Sequence, residues 1–317
     1  MIKKEQNREV KQKNIEKQLP IILAVLLVTA MTAAAELSGE REILFPEIAA
    51  IAAGALIAPK FAWKTSYIRL FVFISIGAVV GLSIVSFTAH PLSIQMSIAF
   101  LIASILYQFS GTTFAPMISS IVLPVMLQTK SIVYPIAAVI LTFFILMARK
   151  LIEQLKIAEP VEYVPELLPN KQKIFDLVVR WLIGSGMIFL AVHFGFKFAA
   201  APPLLVAFTE FWKPESAAQK KPVKITLMIV GCAFIGAFSR YIFILLGWYL
   251  FIAAGVTILI VCIIMRKTKI YVPPAAALSI LAFLIPQEVV IWYPLQIAIG
   301  TFLLISAALL HGRKVSA

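Results

Sequence analysis

Ionisable side chains inside apolar segments are the first candidates for chemistry in this chain, because a charge held at membrane depth is costly and is kept where it binds, pairs or moves ions. Three stand out: Glu47 in Pro46-Glu47-Ile48, Glu210 in Phe208-Thr209-Glu210-Phe211-Trp212, and Arg240 after Gly236-Ala237-Phe238-Ser239. Each also has a plainer reading. Arg240 can snorkel to the outer surface, Glu47 can be a solvated carboxylate at the outer end of its element, and Glu210 can pair with Lys213. A second set marks helix starts: Thr112, Thr113 and Pro116 in Gly111-Thr112-Thr113-Phe114-Ala115-Pro116, and Pro273 and Pro274 in Tyr271-Val272-Pro273-Pro274. Proline early in a helix costs no hydrogen bond, so these can simply begin packed helices. If instead the helices end inside the membrane, their unpaired N–H groups suit an anion.

Catalysis has little material. Asp176 is the one aspartate, which excludes a two-aspartate protease, and His90, His193 and His311 form no H-E-x-x-H zinc motif. No G-x-x-x-x-G-K-[ST] loop cradles ATP. Ser185 and His193 could mimic a serine–histidine pair, but Gly184-Ser185-Gly186 reads more simply as a close helix contact. Cys232 and Cys262 lie in apolar runs and read as packed core residues. The chain is expected to be no enzyme, with no catalytic residue, no metal and no cofactor.

The elements that must position these residues are set by hydropathy. AVILMFWYC residues make up 61% of the 317, only 14% are charged, and the mean hydropathy is +0.97. A soluble domain is about 45–50% apolar with about 25% charged residues, so this composition describes a polytopic membrane protein. A span needs about 20 apolar residues. Eight runs qualify: 19–37, 70–88, 92–109, 132–148, 177–196, 225–245, 248–265 and 289–309. Four shorter pieces, 46–58, 114–127, 202–212 and 271–285, fall short of the full bilayer thickness. The expected fold is all-α with about 12 membrane elements, eight long and four short.

Charge decides whether the short pieces cross. If all twelve cross and the N-terminus is inside, 24 Lys and Arg residues fall on the inner side and Arg41, Lys130, Lys197 and Arg240 are the 4 on the outer side. That division follows the positive-inside rule. It also accounts for the net charge of +13 without nucleic acid, since the basic inner face is attracted to anionic lipid. Both termini are expected in the cytoplasm and the protein in the cell membrane.

The order long, short, long, long, short, long occurs twice, over 19–150 and 177–312. Pro59 matches Pro214 and Gly81 matches Gly236 at an offset of 155, while Gln128 matches Gln287 and Tyr134-Pro135 matches Tyr293-Pro294 at 159. Six crossings per half give both halves one orientation, so the repeats are parallel and pseudo-symmetric about the membrane normal. A basic segment 1–18, a Pro- and Glu-rich cytoplasmic linker 151–176 and a tail 313–317 complete the organisation.

At the prolines the second half resembles the HPP family of integral membrane proteins, over a short apolar opening from Pro202, Pro214-Glu215-Ser216-Ala217-Ala218-Gln219-Lys220-Lys221-Pro222, two helices, Val272-Pro273-Pro274 and a closing helix. Val272 stands where the family's naming motif has histidine, and the first half, with Ala115-Pro116, looks like a more degenerate copy. The resemblance implies a tandem duplication and a permease for a small, nitrite-like anion. The expected partners are the lipid bilayer and a small, anionic solute, and no sequence feature sets an oligomeric state. The alternative is a non-transporting scaffold or accessory subunit. The expected substrate-binding residues are Thr112, Thr113, Pro116, Arg240, Pro273, Pro274, Glu47 and Glu210.

Overall fold

An apolar run of about 20 residues surrounded by lipid can satisfy its backbone only within itself, so it folds as a helix. The computed structural model describes residues 2–165, 170–213 and 216–316, and every regular element among them is helical. Eight helices contain stretches long and apolar enough to cross a membrane: α1 (Ile2–Ser38), α3 (Tyr67–Phe87), α4 (Leu92–Phe109), α6 (Val133–Gln154), α7 (Lys171–His193), α10 (Pro222–Leu245), α11 (Leu250–Thr268) and α13 (Tyr293–Ser316). Four short ones lie between them: α2 (Glu47–Ala52, continued by a π turn over Ala53–Ile57), α5 (Pro116–Leu127), α8 (Pro202–Phe211) and α12 (Pro273–Leu281). One further turn, α9 (Ala217–Lys220), precedes α10.

Local chemistry sets the starts. Ser66 accepts from the Arg69 N–H ahead of α3, and Asn170 accepts from Lys173 N–H at 2.9 Å ahead of α7, each a side-chain N-cap. Proline opens α5, α8, α10 and α12, where its missing N–H costs nothing. Several boundaries differ from the hydropathy reading. α1 runs unbroken through the basic segment, and α7 begins six residues before the expected 177, at its cap. The helix expected over 271–285 stops at Leu281, and Ala282 to Ile285 continue as turns. The last helix starts at Tyr293, not 289, because a separate 3-10 turn occupies Gln287–Val289.

The short helices form the centre. Every residue of α2, its π turn and α12 is buried, as is all of α5 but Leu127 and all of α8 but Glu210. Around the core α2 meets α5, α5 meets α8, α8 meets α12 and α12 meets α2, which closes a ring of four. The long helices surround this ring and turn large apolar side chains outward, among them Leu26, Val79, Phe143, Phe189, Phe238 and Phe302. An apolar outer surface of this extent belongs in lipid.

Packing crosses between the two halves of the chain. α1 lies along α11, and α7 lies along α4. Within each half α3 covers α5 and α10 covers α12. Hydrogen bonds sort the connecting turns into two ends. At the basic end Trp63 binds Glu210, Lys64 binds Thr113, and Tyr163 donates to the Gly111 carbonyl at 2.8 Å. At the opposite end Gln128 binds Gln95, Thr129 binds Glu42, and Glu36 accepts from Leu250 and Phe251 N–H.

Two buried tyrosines hold the short helices in place. Tyr134 donates to Ser120 O at 3.1 Å and Tyr293 donates to Leu278 O at 2.7 Å. Phe45 stands edge-on to Tyr134 and Phe198 edge-on to Tyr293, at 5.7 and 5.8 Å between centroids. Two glycines allow the closest backbone approaches to these helices. A Cβ on Gly81 would strike Ile121 O, and one on Gly236 would strike Ser279 O. Gly231, on the same helix as Gly236, has open space at its Cβ position. Accordingly Gly81→Ala and Gly236→Ala should each lose about 1–3 kcal/mol through overpacking, read as a lower unfolding midpoint in detergent, whereas Gly231→Ala should stay at the wild-type value.

Candidate functional site

At the basic end the loop after the π turn and the loop before α5 are joined. Thr113 Oγ1 accepts from Lys64 N–H at 2.8 Å, and Thr113 N–H donates to Lys64 O at 3.1 Å. This pairing places Thr113 and Trp63 against the ends of α8 and α12. The result is a cavity of about 230 Å³ lined by Trp63, Tyr107, Thr113, Glu210, Lys213, Tyr271, Val272 and Pro273. It is large enough for a few waters or one small polyatomic solute. A second cavity of about 660 Å³ shares Trp63, Thr113 and Lys213 and adds Lys60, Arg149, Glu159 and Glu162.

The polar groups of the smaller cavity have defined roles. Trp63 Nε1 donates to Glu210 Oε1 at 3.0 Å. Lys213 Nζ lies 5.9 Å from the Tyr107 ring centroid, within the range of a cation–π contact. Thr113 already accepts from Lys64, so its hydroxyl proton is the part available to a solute. Together the lining residues supply a cation, a carboxyl and several hydroxyl-bearing side chains within an aromatic wall. This set can bind and orient a small charged solute, and it contains no nucleophile–base pair.

Three of the eight expected site residues, Thr113, Glu210 and Pro273, line this one cavity. Thr112 does not: its hydroxyl bonds Ser110 Oγ at 2.9 Å and holds the turn into α5. Pro116 and Pro274 are buried at the first and second positions of α5 and α12. The free N–H groups expected at these starts are largely engaged. Pro273 and Pro274 have none, and Ala275 N–H donates to Val272 O at 2.9 Å. Before α5, Phe114 N–H donates to Thr112 Oγ1 and Ala115 N–H to Thr113 O. The polar groups open to this cavity are therefore mainly side chains.

Glu47 and Arg240 lie elsewhere. Glu47 is 1% exposed; Ser119 donates to its Oε1 while Oε2 has no partner, so it is no solvated end group. Arg240 is buried against the end of α12, where its Nη1 donates to Ala282 O at 2.6 Å and Ile285 O at 2.7 Å. It neither snorkels nor reaches the cavity. Its geometry is that of a C-terminal helix cap.

Sequence reading passed over Arg149 and Arg180 by counting them as loop cations, yet both are buried. Arg149 is bound to Glu153 at 2.8 Å, Ala55 O at 2.7 Å and Glu159 O. The signal was an acid four residues away on the same helix, Glu153 after Arg149 and Asp176 before Arg180, a spacing that puts opposite charges side by side. Trp63 and Tyr107 carried no comparable mark.

Compared with known proteins, the chain matches no family model, no curated protein and no solved structure.

If Arg240 acts as a cap, Arg240→Met orphans two buried carbonyls and should cost about 1–3 kcal/mol, measured by chemical unfolding in detergent micelles. Unchanged stability would remove the capping role.

Proposed function

We propose that the chain is a multi-pass permease for a small anionic solute, lying in the cell membrane with both termini cytoplasmic and working without ATP hydrolysis. The observation that carries this reading is the cavity at the basic end, because its wall combines Thr113 from the start of the first half's short helix with Tyr271, Val272 and Pro273 from the start of the second half's. Short helices in corresponding positions of two repeats are where transporters place their sites. Lys213 supplies positive charge beside the Tyr107 ring.

Two parallel repeats of six elements form part of the proposal. Its support is the matching roles of Tyr134 and Tyr293, of Gly81 and Gly236, and of the crossed pairs α1 with α11 and α7 with α4. Membership of the HPP family is likewise proposed, on the Val272-Pro273-Pro274 segment and the Pro214 to Pro222 motif. The cytoplasmic side is assigned to the basic end on the charge division.

One observation favours the alternative, a non-transporting scaffold or accessory subunit. The ring of short helices is buried but for Leu127 and Glu210 and, apart from Glu47, Glu210 and the hydroxyls of Ser119, Ser120, Thr209 and Ser279, apolar, so a permeating solute requires that ring to move.

Uptake into proteoliposomes across a panel of small anions separates the two. The permease reading predicts saturable uptake of at least one anion, lowered about 10-fold or more by Lys213→Gln in a variant that still inserts and retains its unfolding midpoint. Absence of uptake for every anion, or wild-type rates for Lys213→Gln, would contradict it.

A further inference from the structure

Buried arginines at the basic end are satisfied in one case and unsatisfied in the other. Arg149 uses Nε, Nη1 and Nη2, on Glu153, Ala55 O and Glu159 O. Arg180, nine residues into α7 and 4% exposed, has no partner for Nε or Nη2. Its guanidinium carbon lies 5.8 Å from the Tyr107 ring centroid. A ring face attracts a cation but accepts no in-plane N–H bond, so the two donors remain unmet.

A third donor is joined to Arg180 by a chain of contacts. Trp212 Nε1 is buried and unpartnered. The Trp212 ring is stacked on His311 at 4.0 Å, and His311 Nε2 approaches Asp176 Oδ1 at 3.5 Å. Asp176 is one helical turn before Arg180, and Lys213 follows Trp212 directly, over the other cation's tyrosine. All three unmet atoms are donors. A bound group that satisfies them must bring several acceptor oxygens and negative charge, the description of an oxyanion, and arginine pairs with such groups through parallel N–H bonds.

We propose that Arg180, with Trp212 Nε1 linked to it through His311 and Asp176, binds one oxyanion at the basic end of the protein. Two sources share this chemistry: the phosphate of an anionic phospholipid in the adjoining leaflet, and a free inorganic oxyanion. The site does not rest on the permease reading and stands even if nothing is transported. Arg180 is not among the residues lining the 230 Å³ cavity, although Tyr107 contacts it and also forms part of that wall.

The test uses the full chain in nanodiscs of phosphatidylcholine, with thermal unfolding as readout. One arm adds inorganic phosphate, and the other replaces part of the lipid with phosphatidylglycerol. Near saturation, at least one arm should raise the wild-type midpoint by about 5 °C. A response to phosphatidylglycerol alone identifies the lipid phosphate, and a response to inorganic phosphate identifies a soluble oxyanion; either supports the site. Arg180→Gln and Trp212→Phe should each require about 10-fold or more ligand for the same shift. Trp212→Phe keeps one aromatic ring for His311 while removing the donor, and its own unfolding midpoint without ligand is the baseline for its shift, so the test holds if Arg180→Gln fails to fold. No shift for wild type in either arm, or a wild-type response from Trp212→Phe, would overturn the proposal.

Discussion

A helix of about a dozen residues leaves up to four carbonyls and four N–H groups unpaired at its ends, and in lipid each such group costs several kcal/mol, on the order of 2–7, if nothing bonds it. Four helices of that kind form the centre of this protein, so the surrounding structure must complete their ends. At the end of α5, Gln128 turns into the left-handed region and its amide bonds both Val125 O and Gln95. At the end of α12, Arg240 performs the same task with one guanidinium nitrogen on two carbonyls. The π turn after α2 finds its partner in Arg149, which reaches Ala55 O. Burial of the short helices is what gives these polar side chains their positions.

The same constraint acts at both ends of the molecule. At the opposite end, Gln128 and Arg240 cap the short helices beside a cavity of about 220 Å³ lined by Arg41, Glu42, Thr129, Tyr134 and Lys197. At the basic end the loops around Trp63 and Thr113 lie against the ends of α8 and α12, with Trp63 bonded to Glu210, and enclose a polar cavity of about 230 Å³ with them. Charged groups there are held at the margin of the apolar core, where they keep access to water and ligands. This placement costs less than a charge at mid-depth.

Much of this arrangement was legible in the sequence. The eight long helices followed from unbroken apolar runs, and the four short elements from runs bounded by proline or charge. Thr113, Glu210 and Pro273, which share one cavity wall, were legible as candidates because each combines a marked residue type with an element end. Arg240 was recognised as unusual, but its role depends on the bare carbonyls of Ala282 and Ile285, which belong to an element 42 residues away in one case and 45 in the other. Arg149 and Arg180 sit near helix ends, where a linear reading sees only a loop charge; their burial arises from packing between helices. Trp63 and Tyr107 became cavity walls through contacts between the halves, which hydropathy does not encode.

The central claim is that the short helices cross the protein's middle and change sides within about a dozen residues. Single cysteines at Phe109 and Lys130 flank α5, and those at Lys269 and Gln287 flank α12; all four positions are exposed. Labelling with a membrane-impermeant thiol reagent in intact cells and in inverted vesicles reads the side directly, against a background with Cys232 and Cys262 replaced. The account predicts that Phe109 and Lys269 label only from the cytoplasmic side and Lys130 and Gln287 only from the outside. Labelling of both members of either pair from one side would mean that the short helix re-enters without crossing and would contradict the account.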